Sequence, residues 1–255
     1  MEATQTREIR MGHNRTGMKA SPLDGMALER KSSDTPPPAP GSLRATEMRK
    51  EYTREADTLG SVPPPVSIKG VGEAALQALQ GHRLASLIDK LGERLAFERS
   101  GVRLYEALLV KCEALGTWQG GPTRELLEEQ CNDELQHFHL MKQTLEHLGA
   151  DPTAMTPSAD VAGVEASGLL KVITDPCTTL SQALHSLLII EDADSDGWDM
   201  LVEIATSTGQ KELADQCRTA LATEETHKQR VREWLGSAAL ADARGESEQQ
   251  RVSMH

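Results

Sequence analysis

Four stretches of the chain carry apolar residues at every third and fourth position, and each predicts a helix with one inward face. The clearest runs from Leu213 to Trp234, where Leu213, Cys217, Ala220, Glu224, His227, Val231 and Trp234 make one stripe. That stripe is apolar except at its centre, where a Glu and a His stand three apart, one above the other. Leu84 to Ala114 gives Leu84, Ile88, Leu91, Leu95, Glu98, Val102, Tyr105, Leu109 and Cys112, again with one acid near the middle. Glu106, on a neighbouring face, is the fallback. Thr123 to Leu148 presents Leu127, Cys131, Glu134, His137, Phe138, Met141, Leu145 and Leu148. Thr179 to Thr206 presents Leu180, Leu184, Leu187, Glu191, Asp194, Trp198, Leu201 and Ala205, with two acids on the inner face.

The breaks between these stretches set the topology. Gly116, Gly120, Gly121 and Pro122 end the first helix, and Gly149 ends the second. Ser207-Thr208-Gly209 is a short turn, so the fourth helix returns antiparallel to the third. Residues 149–178 are too long for a turn but suit a crossover with a short helix near Ala159 to Ile173. Crossing a helix of about 26 residues, roughly 39 Å, requires that length. The expected class is all-α: an antiparallel four-helix bundle over residues 80–236 with one long crossover between helices two and three. Residues 1–70, with Thr35-Pro36-Pro37-Pro38-Ala39-Pro40 and Val62-Pro63-Pro64-Pro65, are expected to be a mostly disordered Pro-rich arm. Arg44 to Leu59 is the stretch of that arm that can form a short helix. Residues 237–255 are expected to be a polar, frayed tail, in which His255 has no ligand partner.

Composition narrows the functional classes. Phe, Trp and Tyr make up only 3% of the chain, so the core is aliphatic. The first 70 residues hold 11 Lys or Arg against 9 Asp or Glu; of the net charge of −12, the remainder therefore carries −14. That acidity argues against nucleic acid as a partner. No apolar run approaches a membrane span, and no signal-peptide core opens the chain, which leads us to expect a cytoplasmic protein without a membrane partner. Cys112, Cys131, Cys177 and Cys217 form no CxxC pair; three of them fall on apolar stripes, as small buried hydrophobes in a reducing compartment do.

The inward acids are the chemistry. Glu98, Glu134, Glu191 and Glu224 fall near the middle of their helices and reach similar depth in a bundle. Glu134-x-x-His137 and Glu224-x-x-His227 repeat one spacing; no other His has a Glu three residues earlier. Four carboxylates and two imidazoles in an apolar core repel or go unsatisfied unless a cation sits among them. Oxygen and imidazole ligands suit iron or manganese. One Glu from each of two helices, with Glu-x-x-His from each of the other two, is the di-metal carboxylate pattern of four-helix bundles.

On these residues the chain resembles the ferritin-like superfamily over roughly residues 80–236. Phe97-Glu98 with Tyr105 seven residues after the acid is similar to the first ligand helix of the rubrerythrin branch, and Glu191 with Asp194 to its third-helix pair of acids. Parts of the Pro-rich arm also resemble uncharacterised bacterial ferritin-like proteins. The resemblance implies two iron ions, or manganese, held by Glu98, Glu134, His137, Glu191, Glu224 and His227, with Asp194 as a seventh or switching ligand. Tyr105 would stand behind the ligands or simply pack in the core. The Cys-rich electron-transfer domain of full-length rubrerythrins is lacking, so electrons would come from a separate donor. The implied function is a di-iron oxidoreductase, oxidising Fe(II) as a ferroxidase or reducing peroxide or oxygen. Alternatives are iron storage without turnover, a metal-free interaction module and, less favoured, a di-iron hydroxylase; homo-oligomerisation is left open.

One rival motif overlaps the third helix. Asp192, Asp194, Asp196, Gly197 and Glu203 satisfy the calcium-loop pattern of an EF-hand. Asp199 stands where that loop usually has an aliphatic residue, and the apolar stripe runs straight through, so a continuous helix is the preferred expectation.

Overall fold

The computed structural model describes residues 21–33, 40–57, 59–63 and 81–244. Among them are seven helices and no strand: α1 (Pro22–Ser33), α2 (Pro40–Glu55), α3 (Gly81–Leu115), α4 (Arg124–His147), α5 (Pro157–Thr174), α6 (Leu180–Ser207) and α7 (Lys211–Ala243). The fold class is all-α. No described helix is long and apolar enough to cross a membrane.

Residues 8–58 form one compact unit, and the chain from Leu59 belongs to another. Within the first unit lie α1 and α2, both opening with a proline, which fits the first turn because its missing N–H has no helical partner there. Helix thus occupies more of this stretch than the single short segment near Arg44 to Leu59. Leu, Met, Arg, Lys and Glu give α2 a strong local preference for helix. Both polyproline stretches lie largely outside the described residues, as does His255.

In the second unit α3 packs against α4 and the crossover helix α5, while α6 and α7 pack along one another; α3 also meets α6, and α4 meets α7. The helix ends follow their sequence signals. Thr123 and Thr156 cap α4 and α5 through their hydroxyls, and Thr179 with Gln182 makes a reciprocal capping box at α6. Gly149 and Gly209 adopt φ of 75° and 76°, the left-handed conformation that closes a helix and suits glycine.

The crossover is pinned to α3 at both ends. Ser158 donates to Asp89 from its backbone N–H (2.9 Å) and its hydroxyl (2.7 Å) at the start of α5. Past its end, Lys111 Nζ donates to the carbonyls of Asp175 (2.8 Å) and Thr178 (3.1 Å). These bonds satisfy polar groups that the crossover would otherwise strand on an apolar helix surface.

One expectation needs correction. The fourth long helix does not stop at Gly236: α7 continues to Ala243, burying Ala238 and Ala241. A glycine inside a helix costs only about 1 kcal/mol, and here the following Ala-rich turn extends the inner face. Ser237 adds a tether, accepting from Trp118 Nε1 at 2.8 Å. The continuous helix expected through the calcium-loop pattern is found: Asp192 to Glu203 is unbroken helix, with Asp192, Asp196 and Asp199 exposed.

The apolar core has two parts. One gathers Leu104, Leu108, Leu127, Leu184, Leu187 and Trp234, and the other Leu91, Met141, Leu145, Trp198, Leu201 and Cys217. Along α4, α6 and α7 the inward acids fall between the two, and on α3 Glu98 directly follows the place where they meet, Leu95 and Phe97.

Candidate metal centre

Every stripe residue predicted for α6 and for Leu213–Trp234 of α7 is buried, and so are the acids within them. Glu98, Glu134, Glu191, Asp194 and Glu224 are at most 1% exposed, as is His227; His137, at 8%, is the least enclosed of the set. Glu106 is exposed and outside the group.

Glu224 lies at the centre. Its Oε1 is 2.6 Å from His137 Nδ1, and its Oε2 is 3.2 Å from His227 Nδ1. His137 Nδ1 also faces Glu98 Oε2 at 3.8 Å, while His227 Nδ1 faces Glu134 Oε1 at 3.7 Å and Glu191 Oε2 at 3.8 Å. Two groups result, with ligand atoms within 4.8 Å of one another: Glu98, His137 and Glu224 in one, and Glu134, Glu191, Glu224 and His227 in the other. A third convergence joins Glu98, Glu134, Asp194 and Glu224. These buried carboxylate and histidine groups can hold a metal ion.

The donors fit that role because they are otherwise unsatisfied. Both oxygens of Glu98, Glu134 and Glu224, Glu191 Oε2 and both Nδ1 atoms are buried without a well-aligned hydrogen bond. Acceptors facing acceptors in an apolar interior are costly, and a cation is the species that relieves all of them together.

The electrostatics say the same. Burial raises Glu98, Glu134 and Glu191 well above the ordinary carboxylate range, and like charge adds to it, from Asp194 on Glu98 and from Glu224 on the other two. Burial lifts Asp194 to about 7 even though Arg94 pulls the other way. Burial would also raise Glu224, but the imidazoles of His137 and His227 set against its two oxygens outweigh it and hold the group at about 2. His227, which burial alone would depress, reaches about 9 through Glu224, Glu191 and Asp133. Protons on Glu98, Glu134 and Glu191 thus relieve charge that a cation would otherwise balance.

Surrounding side chains orient the donors. The Tyr105 hydroxyl donates to Glu191 Oε1 at 2.6 Å, which leaves Oε2 turned to the group. Burial, with Glu191 beside it, raises Tyr105 well above its ordinary value, so it stays a neutral donor. Asp133 Oδ2 lies 3.2 Å from His227 Nε2; a proton there fixes the tautomer and frees Nδ1 for a metal. The Trp198 ring stands edge-on to His137, centroids 5.2 Å apart.

Sequence reasoning missed four residues. Arg94 is buried, its Nη1 2.8 Å from Asp194 Oδ1 and its guanidinium 4.1 Å above the Phe97 ring. It lies three residues after Leu91 and four before Glu98, so strict helical spacing places it on the inner stripe despite its charge. Asp133 had only its position beside Glu134 to mark it. Gly101 and Gly197 are clearances: a Cβ on Gly101 would overlap the Glu134 carboxylate, and one on Gly197 the Arg94 guanidinium.

Comparison with protein-family models, curated proteins and solved structures finds no match for this chain. The class that fold and site define is an all-helical protein with a buried carboxylate–histidine centre able to bind metal.

Proposed function

We propose that the chain is a non-haem dinuclear metal protein of the ferritin-like type, its four long helices forming an antiparallel bundle with α5 in the long crossover. The reading rests on one observation: the two oxygens of Glu224 address two different histidines, and each histidine brings its own terminal acid. Glu98 and His137 would hold one ion, Glu191 and His227 the other, with Glu224 and Glu134 between them. Iron is the preferred metal and manganese the alternative, because the donors are hard oxygens and imidazoles with no thiolate. When bound in reduced form, the pair would supply electrons to oxygen or peroxide, and Fe(II) or a separate donor would replace them.

The chain's own residues provide the rest. Tyr105 and Asp133 fix the donor atoms of Glu191 and His227, so that little reorganisation accompanies binding. The apolar clusters on either side exclude water and keep the carboxylates' attraction for a cation strong. Arg94 offsets the charge of Asp194 without entering the ligand set.

Anaerobic titration with Fe(II), followed by oxygen or peroxide under optical observation, tests the reading. The expected result is about two ions per chain, as six ligands on four helices allow, and a spectral change on oxidation. No uptake would defeat the metal reading; uptake without repeated turnover would leave iron storage in its place.

A further inference from the structure

We propose that a cavity under the crossover helix α5 binds a monocarboxylate with an apolar tail, of the kind a medium-chain fatty acid represents. The cavity measures about 520 Å³ and lies among α3, α4, α5 and the chain leading into α5. That is within the roughly 300–1,000 Å³ of small-molecule sites. Gly92, Leu95 and Ala96 form one wall and Phe138 another, while Met155 and Val164 complete a largely apolar lining. Those last two are 62% and 67% exposed, unusual for large apolar side chains unless something covers them.

The polar groups give the ligand its sign. Arg99 and Lys142 line the cavity, against the single carboxylate of Asp160. Lys142 reaches only Glu146, at 3.7 Å, and Arg99 makes no ion pair among the described residues. A guanidinium without an ion pair among the described residues, at the mouth of an apolar pocket, is placed for an anion. The carboxylate would meet Arg99 and Lys142 at the solvent edge, and the tail would run inward over Leu95 and Phe138.

The backbone offers a clean way to block the site. Gly163 also lines the cavity, and a Cβ built on it meets nothing within 4 Å. Gly163→Phe therefore fills the space from an exposed helical position without disturbing the fold. Gly92 is unsuitable, since a Cβ there would strike Thr156.

The test is calorimetric titration of the full chain with decanoate, metal-loaded and metal-stripped, with metal content measured on the same samples. Saturable binding of roughly one decanoate per chain is expected in both states, because no metal ligand lines the pocket. Gly163→Phe should abolish it. Arg99→Gln with Lys142→Gln should weaken decanoate about tenfold or more, as loss of charge-assisted hydrogen bonds does, and leave 1-decanol unchanged. No binding at about millimolar decanoate, equal binding by Gly163→Phe, or decylamine binding as tightly as decanoate would each overturn the proposal. The metal reading fails separately, through metal content alone.

Discussion

The Arg94 guanidinium grips Asp194 at two places, its Nη1 lying 2.8 Å from the carboxylate Oδ1 and 3.0 Å from the backbone carbonyl. Its Nε also lies 3.3 Å from Glu98 Oε1, so one buried cation faces two of the five buried acids. Removing one partner of a buried pair typically costs about 3–5 kcal/mol, whereas replacing both with apolar groups is often neutral. Arg94→Met should therefore destabilise the protein more than Arg94→Met with Asp194→Leu. Urea unfolding of the metal-free forms measures the difference; a double variant at least as unstable as the single would mean that the pair is not the reason.

Glu224 is common to both ligand groups, whereas Glu98 and Glu191 each belong to one of the two groups built around a histidine. Glu224→Ala should release both ions. Glu98→Gln or Glu191→Gln should leave roughly one per chain, because one ligand group survives. Metal content after anaerobic loading and desalting reads this directly.

The pH response of the metal-free protein should run against the usual one for acids. A carboxylate whose folded value is raised binds its proton more tightly when folded, so its contribution is present at low pH and is lost as pH rises through the folded value. For Asp194 that window lies between its ordinary 3.8 and about 7. Glu98, Glu134 and Glu191 act in the same direction, with windows reaching well above their ordinary 4.5. His227, raised to about 9, loses its contribution between 6.5 and 9. Glu224, held at about 2, works oppositely, losing its contribution only as pH falls from 4.5 toward 2. The metal-free melting temperature should therefore fall from pH 5 to pH 9. Metal displaces the same protons, so the gap between loaded and stripped melting points should widen over that range. A gap that narrows would contradict the shared buried site.

Gly101→Ala should lose stability where a helical Gly→Ala change normally gains up to about 1 kcal/mol. Its new methyl would meet the Glu134 carboxylate, which has packed helices on every side. Gly168→Ala, where a Cβ meets nothing, is the matched control and should gain. Thermal melts of the two variants decide the point.

Asp89→Ala should loosen the crossover. Burial works to raise Asp89, but the backbone and hydroxyl bonds from Ser158 prevail and lower it. Its contribution is thus present above its ordinary 3.8 and lost as pH falls below it. A cost of about 1–2 kcal/mol is expected, as for loss of a helix-capping acid, and it should vanish in acid. Denaturant melts at neutral pH and near pH 3 compare the two conditions.

The inward face of each long helix was legible because burial in a helix repeats every three to four residues; every predicted stripe residue of α6 is buried. The paired Glu-x-x-His spacing likewise marked four of the buried donors, Glu134, His137, Glu224 and His227. Arg94 was not read because a charged residue defaults to the surface, and its partner Asp194 is a hundred residues away. Gly101 and Gly197 were illegible for a related reason. What they make room for sits on another helix, and a sequence does not show an approach between distant elements. The end of α7 was missed because Gly236 is a stop signal only where the following residues gain nothing by packing, whereas Ala238 and Ala241 do.

The acid layer separates the two apolar clusters along α4, α6 and α7, and on α3 they meet at Leu95 and Phe97, directly before Glu98. Mechanically the unit is two blocks riveted at the waist. With ions in place the rivets bind four helices at one level, and opening either block strains the other. With protons there instead, each block keeps its own packing and the joint is weak. Stripping the metal should therefore split one cooperative opening into two, visible as two families of amide exchange rates on either side of Glu134 and Glu224. The centre would then serve as the fastener that makes two half-cores behave as one domain.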